Sequence, residues 1–554
     1  MRNRSRGGNQ RSRVLYTGLV LLAPILFAGF VAVDSDLFFK INRSIDVFGR
    51  VYKEITLNYV DPVDPEKFMM AGVEGMLETL DPYTSYIDRE DGDEVDLMTD
   101  GKYGGIGVTI GVRDGTMRVI SIMEGYAAER SGLLPGDRFL EVDGVPVEQK
   151  NPSEVKHLTR GEPGTEVQLL IEREGEPEPL EFILIREEIR VKNVTYAGYV
   201  APGIAYVKLE RFSRQAGEEV RLAIKELKLT GPIEGIILDV RGNPGGLLDA
   251  AVEVVSKFVP KGSLVVSTKG RRLEAAKEYR SVEEPLLLEV PMVVLTNEAS
   301  ASASEIVAGG LQDLDRALIV GQRTFGKGLV QTIVPLNYGA QLKITTARYY
   351  TPSGRCIQEI DYQRRDENGV FAPEPDSLKR EYKTARGRPV YEHGGITPDS
   401  LVEGRNLGPM VMELYRKSLF YKFLNTYLVQ HTADSLASPA MVDAFGAFLE
   451  SEEFRFQDEA TERLDALRSL ARSSRYGREV LSQLDALEEM LVAEGARGFD
   501  RYRDCITHTL NVELKGRRAG ERGRVEASLS GDPQLEAGIG LLRDRTFYTS
   551  KTGG

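Results

Sequence analysis

The run Gly235-Ile-Ile-Leu-Asp-Val240 narrows the folds open to this 554-residue chain more than any other stretch. Near-continuous apolar residues over the length of a strand describe one covered on both faces, as in a parallel sheet. A glycine-rich turn, Arg241-Gly-Asn-Pro-Gly-Gly246, comes next, and Leu247 to Phe258 reads as helix. Ile204 to Leu209 is another strand and Glu218 to Leu229 an amphipathic helix. Val293 to Leu295 and Ala317 to Val320 are further apolar runs. Strand, turn, helix, strand is the rhythm of an α/β core.

The run at Val293 ends in small residues, Asn297-Glu-Ala-Ser-Ala-Ser-Ala-Ser-Glu-Ile306, and Ile306, Val307 and Leu311 then fall on one helical face. Ser302 sits where strand hands over to helix. There a hydroxyl lies beside unpaired N–H groups at the positive end of a helix dipole. An acyl-transfer enzyme needs that combination of nucleophile and oxyanion donors. Lys327 follows the run at Ala317, between Gly326 and Gly328. A lysine serves as general base once desolvation lowers its pKa from about 10.4. Gln331 can orient that amine without adding a charge that would keep it protonated. The four histidines, His157, His393, His431 and His508, lie near no G-x-S-x-G elbow, which argues against a Ser-His-Asp triad.

Each half has an ordinary reading. An alanine-serine run is commonly just a helix start. Gly321-Gln-Arg-Thr-Phe-Gly326-Lys327-Gly328 nearly spells a phosphate-binding P-loop, but Gly328 replaces the required hydroxyl, and Gln331-Thr-Ile-Val-Pro335 alternates like strand.

Taken together, Ser300 to Gln331 resembles the active-site signature of the carboxyl-terminal processing (tail-specific) serine peptidases. The S-A-S-A-S-E run, the F-G-K-G turn and both spacings, Ser302 to Lys327 and Lys327 to Gln331, recur. The resemblance, which spans about residues 40–402, implies Ser302 as nucleophile, Lys327 as base and Gln331 as orienting residue. It also implies a crotonase/ClpP-like βα spiral core. The end of the buried strand makes the Gly245-Gly246 backbone a candidate oxyanion donor beside the amide of Ala303. The family motif R-x-N-x-G-G agrees without choosing between the glycines.

Lys102 to about Glu187 reads as a β-rich module. Tyr103-Gly-Gly-Ile-Gly-Val-Thr-Ile110 is a glycine turn running into an alternating strand, and Val119 to Ile122, Val167 to Ile171 and Leu180 to Ile185 are further strands. Ala127 to Gly132 is a short helical turn, and Asp143-Gly144 a hairpin signal. The order resembles a PDZ domain. In that family Gly104, Gly105, Ile106 and Gly107 would offer backbone N–H groups to a peptide's terminal carboxylate, and the next strand would pair with the peptide. Arg160, at the end of the module's helix, is the corresponding candidate link between PDZ domain and active site.

Residues 2–13 carry five arginines and no acid, and Val14 to Val33 is uncharged and long enough to cross a ~30 Å hydrocarbon core. This reads as a single-pass inner-membrane anchor with the remainder in a bacterial periplasm. The rival is a cleaved signal peptide, for which the run is long and Phe30-Val-Ala32 a poor cleavage site. Asp36 to about Thr99 is helical in pattern, with Phe38, Ile41, Ile45, Phe48 and Val51 on one stripe. In the resembled family such an arm packs on the protease core or on a second subunit, and a spacer lifting the enzyme off the membrane is the alternative. Four helices are expected beyond the core, at 410–430, 441–454, 458–472 and 478–496, as a bundle serving a dimer, a substrate cage or an adaptor. Gly520 to Gly531 and Gly553-Gly554 read as mobile.

The net charge of −13 argues against nucleic acid as a partner. Cys356 and Cys505 read as ordinary thiols, and neither a metal nor another cofactor is expected. The expected domains are a basic stub and anchor (1–35), a helical arm (36–100), a PDZ domain (101–188), a Ser-Lys peptidase core (189–402) and a helical C-terminal extension (403–554). The function that follows is endoproteolysis of proteins captured by their free C-termini. A non-catalytic PDZ scaffold on a protease-like fold is the alternative.

Overall fold

The stripe from Phe38 to Val51 becomes a helix, α1 (residues 36–58), in the computed structural model. The described residues are 36–113, 115–173, 175–365, 370–373, 380–392, 394–431, 435–454, 456 and 459–553. The expected anchor, Val14 to Val33, and His393 lie outside them. Among the described residues no helix is long and apolar enough to cross a membrane. Asp64 caps α2 (Pro65–Leu77) by accepting from the N–H groups of Glu66 and Lys67. Tyr52 of α1 stacks on Phe68 of α2 at 5.7 Å. The stripe itself stays in solvent, with Phe38 69% and Ile45 64% exposed. These helices belong to a unit ending at Tyr86, and a second unit begins at Ile87.

The second unit opens with α3 (Gly92–Asp100). The β-rich module follows, its main strands being β1 (Lys102–Gly105), β2 (Val108–Arg113), β3 (Thr116–Ile122), β4 (Arg138–Val142), β5 (Glu166–Glu172), β6 (Leu180–Ile185) and β7 (Glu187–Arg190). β2 to β6 form an antiparallel sheet in the order β2-β3-β4-β5-β6, while β1 pairs with β7 as a separate ribbon. The helix α4 (Pro152–Thr159) starts from a reciprocal cap between Asn151 and Glu154, with proline in its first turn. Val155 of α4 joins Ile106, Val119, Val142 and Leu169 in the module's core.

In the core, β8 (Val194–Ala201) runs antiparallel to β9 (Ile204–Leu209). Then β9, β10 (Gly235–Asp239), β12 (Met292–Thr296), β13 (Leu318–Gly321) and β16 (Ser400–Leu401) are parallel neighbours in that order. Three helices connect them: α5 (Ala216–Thr230), α6 (Leu248–Ser256) and α7 (Ala303–Asp313). Successive crossovers that advance in one direction and share one hand put their helices on one face. Strand alternation then decides what each residue meets. Ile236, Leu238, Val294 and Ile319 pack with the three helices, and Ile237, Val293, Leu295, Leu318 and Val320 point the other way. A second sheet, in the order β14 (Leu329–Pro335), β15 (Gln341–Tyr350), β11 (Leu264–Gly270), lies beside the first. Ile360–Arg365 pairs with Phe371–Pro373, and Glu381–Lys383 with Pro389–Tyr391, as short two-stranded ribbons.

The C-terminal region is helical: α8 (Gly408–Arg416), α9 (Leu419–Gln430), α10 (Pro439–Ser451), α11 (Glu459–Ser473), α12 (Arg478–Ala496), α13 (Arg503–Ser528), α14 (Pro533–Arg543) and α15 (Arg545–Thr552). Three of the expected helices are present, the other (410–430) is broken into α8 and α9 at Ser418, which is left-handed, and the chain beyond them corrects the sequence reading. Residues 520–528 are helix, because α13 breaks at Ala519-Gly520 and resumes to bury Val525 against the sheet. Leu535 and Leu542 of α14 and Tyr548 of α15 cover the sheet's second face, and the Tyr548 hydroxyl donates to the carbonyl of Met292. Gly553 ends α15 in the left-handed conformation, as a cap. The glycines suggested mobility, but burial of an apolar stripe outweighs their backbone entropy. Phe420 and Phe423 of α9 pack on Phe445 of α10 in the bundle's core, and the Tyr421 hydroxyl donates to the carbonyl of Val119 in β3.

Candidate active site

Three serines stand in the small-residue run, and their surroundings separate them. Ser300 and Ser304 are 0% exposed, with hydroxyls donating to the carbonyls of Val240 and Asn243. Ser302 is half-buried, at the junction of β12 and α7 that the sequence indicates. Its φ of 55° is strained for a residue with a side chain and costs about 1–3 kcal/mol in such cases. The conformation is held from both ends. The Ser302 N–H donates to Glu305 Oε2 at 2.8 Å, and its carbonyl accepts from the Tyr349 hydroxyl at 3.1 Å.

Glu305 joins the two halves of the site. It is fully buried, and its two oxygens accept four hydrogen bonds. Oε1 takes the Thr324 hydroxyl (2.6 Å) and Gly326 N–H (2.7 Å), and Oε2 takes the N–H groups of Ser302 and Lys327 (2.9 Å). Tyr349, in β15, makes a second link, its hydroxyl also donating to the Lys327 carbonyl at 2.6 Å. Burial pushes the Glu305 carboxyl up to about 7 against the pull of its four donors. Ile396 donates its N–H to the Thr324 hydroxyl and closes the back of this network.

Lys327 is half-buried on the loop entering β14, with Gly328 pressed against Gln358. Gln331 lies in β14 just past a bulge, its amide donating to the Thr345 hydroxyl at 3.2 Å. Beyond Lys327 the chain is strand and not helix, as the failed P-loop comparison requires.

The loop 241–246 closes on Ser302 from the other side. Asn243 donates its amide to Leu209 O and accepts from the N–H groups of Gly245 and, at its carbonyl, Ala301. The Gly245 N–H is therefore engaged, and those of Gly246 and Ala303 have no acceptor among the described residues. A Cβ on Gly245 would lie 2.8 Å from the Ala301 carbonyl oxygen and from Ser302 Cβ, at a φ of 106°. Gly245→Ala is accordingly expected to lower kcat by about 10²-fold or more and to reduce the melting temperature. Steady-state kinetics beside a thermal melt checks it, and wild-type kcat would show that the loop tolerates the shift.

In the β-rich module, Gly104 and Gly105 are strand residues of the β1–β7 ribbon, so Ile106 and Gly107 alone make the turn. Neither turn N–H has a backbone acceptor among the described residues. β2 is an edge strand, with α4 alongside. Arg160, just after α4, stacks its guanidinium 4.3 Å from the centre of the Tyr103 ring in β1. From α4, Lys156 pairs with Glu94 and His157 lies 3.2 Å from Asp91. At the other end of α3, Asp100 pairs with Arg214, near Phe212, whose N–H donates to Gly245 O.

Sequence reasoning missed Glu305, Thr324 and Tyr349. Glu305 had a signal, since Ser302-Ala-Ser-Glu305 spells a capping box. Tyr349 had none. Among the described residues no group of His, Cys, Asp and Glu is arranged to hold a metal, and both cysteines are free thiols.

Comparison with known proteins adds four matches. Residues 203–364 match Peptidase family S41, and 118–173 a PDZ domain. Residues 410–542 match a probable PDZ-protease C-terminal helical domain, and 36–91 the N-terminal domain of the activating protease CtpB. The carboxy-terminal-processing protease of Bartonella bacilliformis is 39% identical over 316 residues, covering 56% of this chain and 72% of that one. The carboxy-terminal processing protease CtpB of Bacillus subtilis is 32% identical over 66% of this chain and 76% of its own. Among solved structures, the photosystem II D1 C-terminal processing protease aligns at 27% identity and a TM-score of 0.35, over 63% of this chain and 85% of that one.

Proposed function

Because the chain belongs to the S41 family of carboxy-terminal processing serine peptidases and carries a PDZ domain, we propose that it cleaves captured protein tails through a Ser302 acyl-enzyme with Lys327 as general base. The observation that carries this is the shared tether, in which one buried carboxylate, Glu305, holds the backbone N–H groups of both residues.

A free C-terminal carboxylate docks on the N–H groups of Ile106 and Gly107, and the tail adds to the open edge of β2 as an extended strand. An upstream peptide bond reaches Ser302. Neutral Lys327 takes the hydroxyl proton as Oγ attacks the carbonyl carbon, and the carbonyl electron pair moves to oxygen, facing the N–H groups of Ala303 and Gly246. Lys327 then returns the proton to the leaving amine, and water repeats the sequence on the ester. Gln331 orients the lysine. The arginine-rich stub and uncharged run support a location on the periplasmic side of an inner membrane.

The test uses the purified full chain and one unstructured polypeptide with a free or an amidated C-terminus. The free form is expected to be cleaved with kcat/KM at least about tenfold higher, since the amide forfeits a charge-assisted contact. Cleavage must be absent in Ser302→Ala. Equal cleavage of both forms would remove carboxylate capture and leave the peptidase.

A further inference from the structure

The C-terminal helices do more than cover the sheet. Arg241 begins the loop that ends at Gly246, and its guanidinium is shared between the core and α14. Toward the core, Nε and Nη2 donate to Asp239, a buried carboxylate that also accepts from the Tyr206 hydroxyl at 2.6 Å. Toward α14, Nη2 donates to Asp532 at 2.7 Å and Nη1 to Gln534 Oε1 at 2.8 Å. Asp532 divides its work: Oδ1 caps α14 by accepting from the N–H groups of Gln534 and Leu535, and Oδ2 takes Arg241. Gln534, 1% exposed, donates its amide onward to Val402 O.

Leu535, Leu542 and Tyr548 already pack these helices on the sheet. Buried charge networks contribute little net stability once desolvation is counted, so their use here is geometric. The Arg241 carbonyl accepts from Lys208 Nζ at 2.6 Å, and the Gly242 N–H donates to Asn297. Arg241 is therefore held at both its backbone and its guanidinium where the loop leaves β10, a few residues before Gly246.

We propose that Asp532 and Gln534 are positioning residues of the peptidase, holding Arg241 so that the Gly246 N–H faces the oxyanion formed at Ser302. This rests on the Ser302 reading, and it makes the C-terminal helices a working part of the active site's support.

The test pairs Asp532→Asn, which keeps the helix cap, with Gln534→Met, which leaves both charges in place. The full chain is assayed on the free-tail polypeptide. Tail affinity is measured in a Ser302→Ala background, and binding of a peptidyl boronate, whose adduct puts an oxygen in the hole, is measured directly. In the folded variants kcat is expected to fall about 10- to 100-fold, boronate affinity to fall with it, and KM and tail affinity to stay within about twofold. Asp532→Glu is expected to recover most of the loss. Wild-type kcat and boronate affinity in either folded variant, or a loss confined to KM, overturns the proposal. An inactive wild type, or an active Ser302→Ala, overturns the Ser302 reading first and this inference with it.

Discussion

Ser302→Ala and Lys327→Ala are each expected to lower kcat by about 10⁴-fold or more while leaving the melting temperature close to wild type. The reason the fold survives is on the backbone. Glu305 binds the N–H groups of both residues and Tyr349 binds both carbonyls, so either side chain can be truncated without loosening the junction. On the proposed mechanism nucleophile and base act as one unit, so activity is expected to be lost in either variant. The double variant is therefore expected to be no worse than either single one. Lys327→Arg sharpens the test: it keeps a long basic side chain, but a guanidinium stays protonated near neutral pH and cannot accept the hydroxyl proton, so it is expected to be as inactive as alanine. Cleavage kinetics beside thermal melts decide the matter. Residual activity within tenfold of wild type in Lys327→Ala would place the base elsewhere.

Glu305→Gln should do nearly as much harm without touching either reacting side chain. An amide presents one acceptor and one donor where the carboxylate presents two acceptors, and four donors converge here. Either orientation sets the amide N–H₂ against a pair of donors, Thr324 and Gly326 or Ser302 and Lys327. With unsatisfied buried groups at about 1–3 kcal/mol each, the variant is expected to lose roughly 2–4 kcal/mol at pH 8 and about 10²-fold in kcat.

Its pH dependence is distinctive. The folded-state pKa of Glu305 is raised, so the folded protein binds this proton more tightly than the unfolded chain does. The group's stabilisation is complete below the unfolded value of 4.5 and is lost as pH rises through about 7. That difference is on the order of 3 kcal/mol. Activity runs the other way, because a protonated carboxyl must turn an O–H toward its donors and releases part of the tether. Melting curves between pH 5 and 8 should therefore show a slope in wild type that Glu305→Gln lacks. Identical slopes would remove Glu305 as the titrating group.

Much of the site could be read from local pattern. Apolar runs ending in small residues identify the strands, and the spacing from Ser302 to Lys327 to Gln331 points to the pair proposed to react. The glycine turn after Asp239 marks the loop proposed to face the oxyanion. Reading failed where a residue's role depends on how a side chain is oriented or on what packs against it. Gly245 and Gly246 are equivalent in the motif, yet the Asn243 side chain takes the first N–H and leaves the second. The stripe of α1 is helical as its spacing requires, but spacing carries no information about what covers it.

The chain's own order thus determined an α/β core, a β-rich module before it, a helical region after it, and a serine and a lysine that each follow an apolar run. These follow from interactions within a few residues: strand alternation, helical periodicity and the permissiveness of glycine. Only the tertiary structure decided that Glu305 and Tyr349 join the two halves of the site. Only it decided that α14 and α15 return across the chain to cover β10, β12 and β13 and to take hold of Arg241. Those contacts link residues far apart in sequence, and the condition that brings them together is global: each buried apolar face must be covered and each buried polar atom must find a partner.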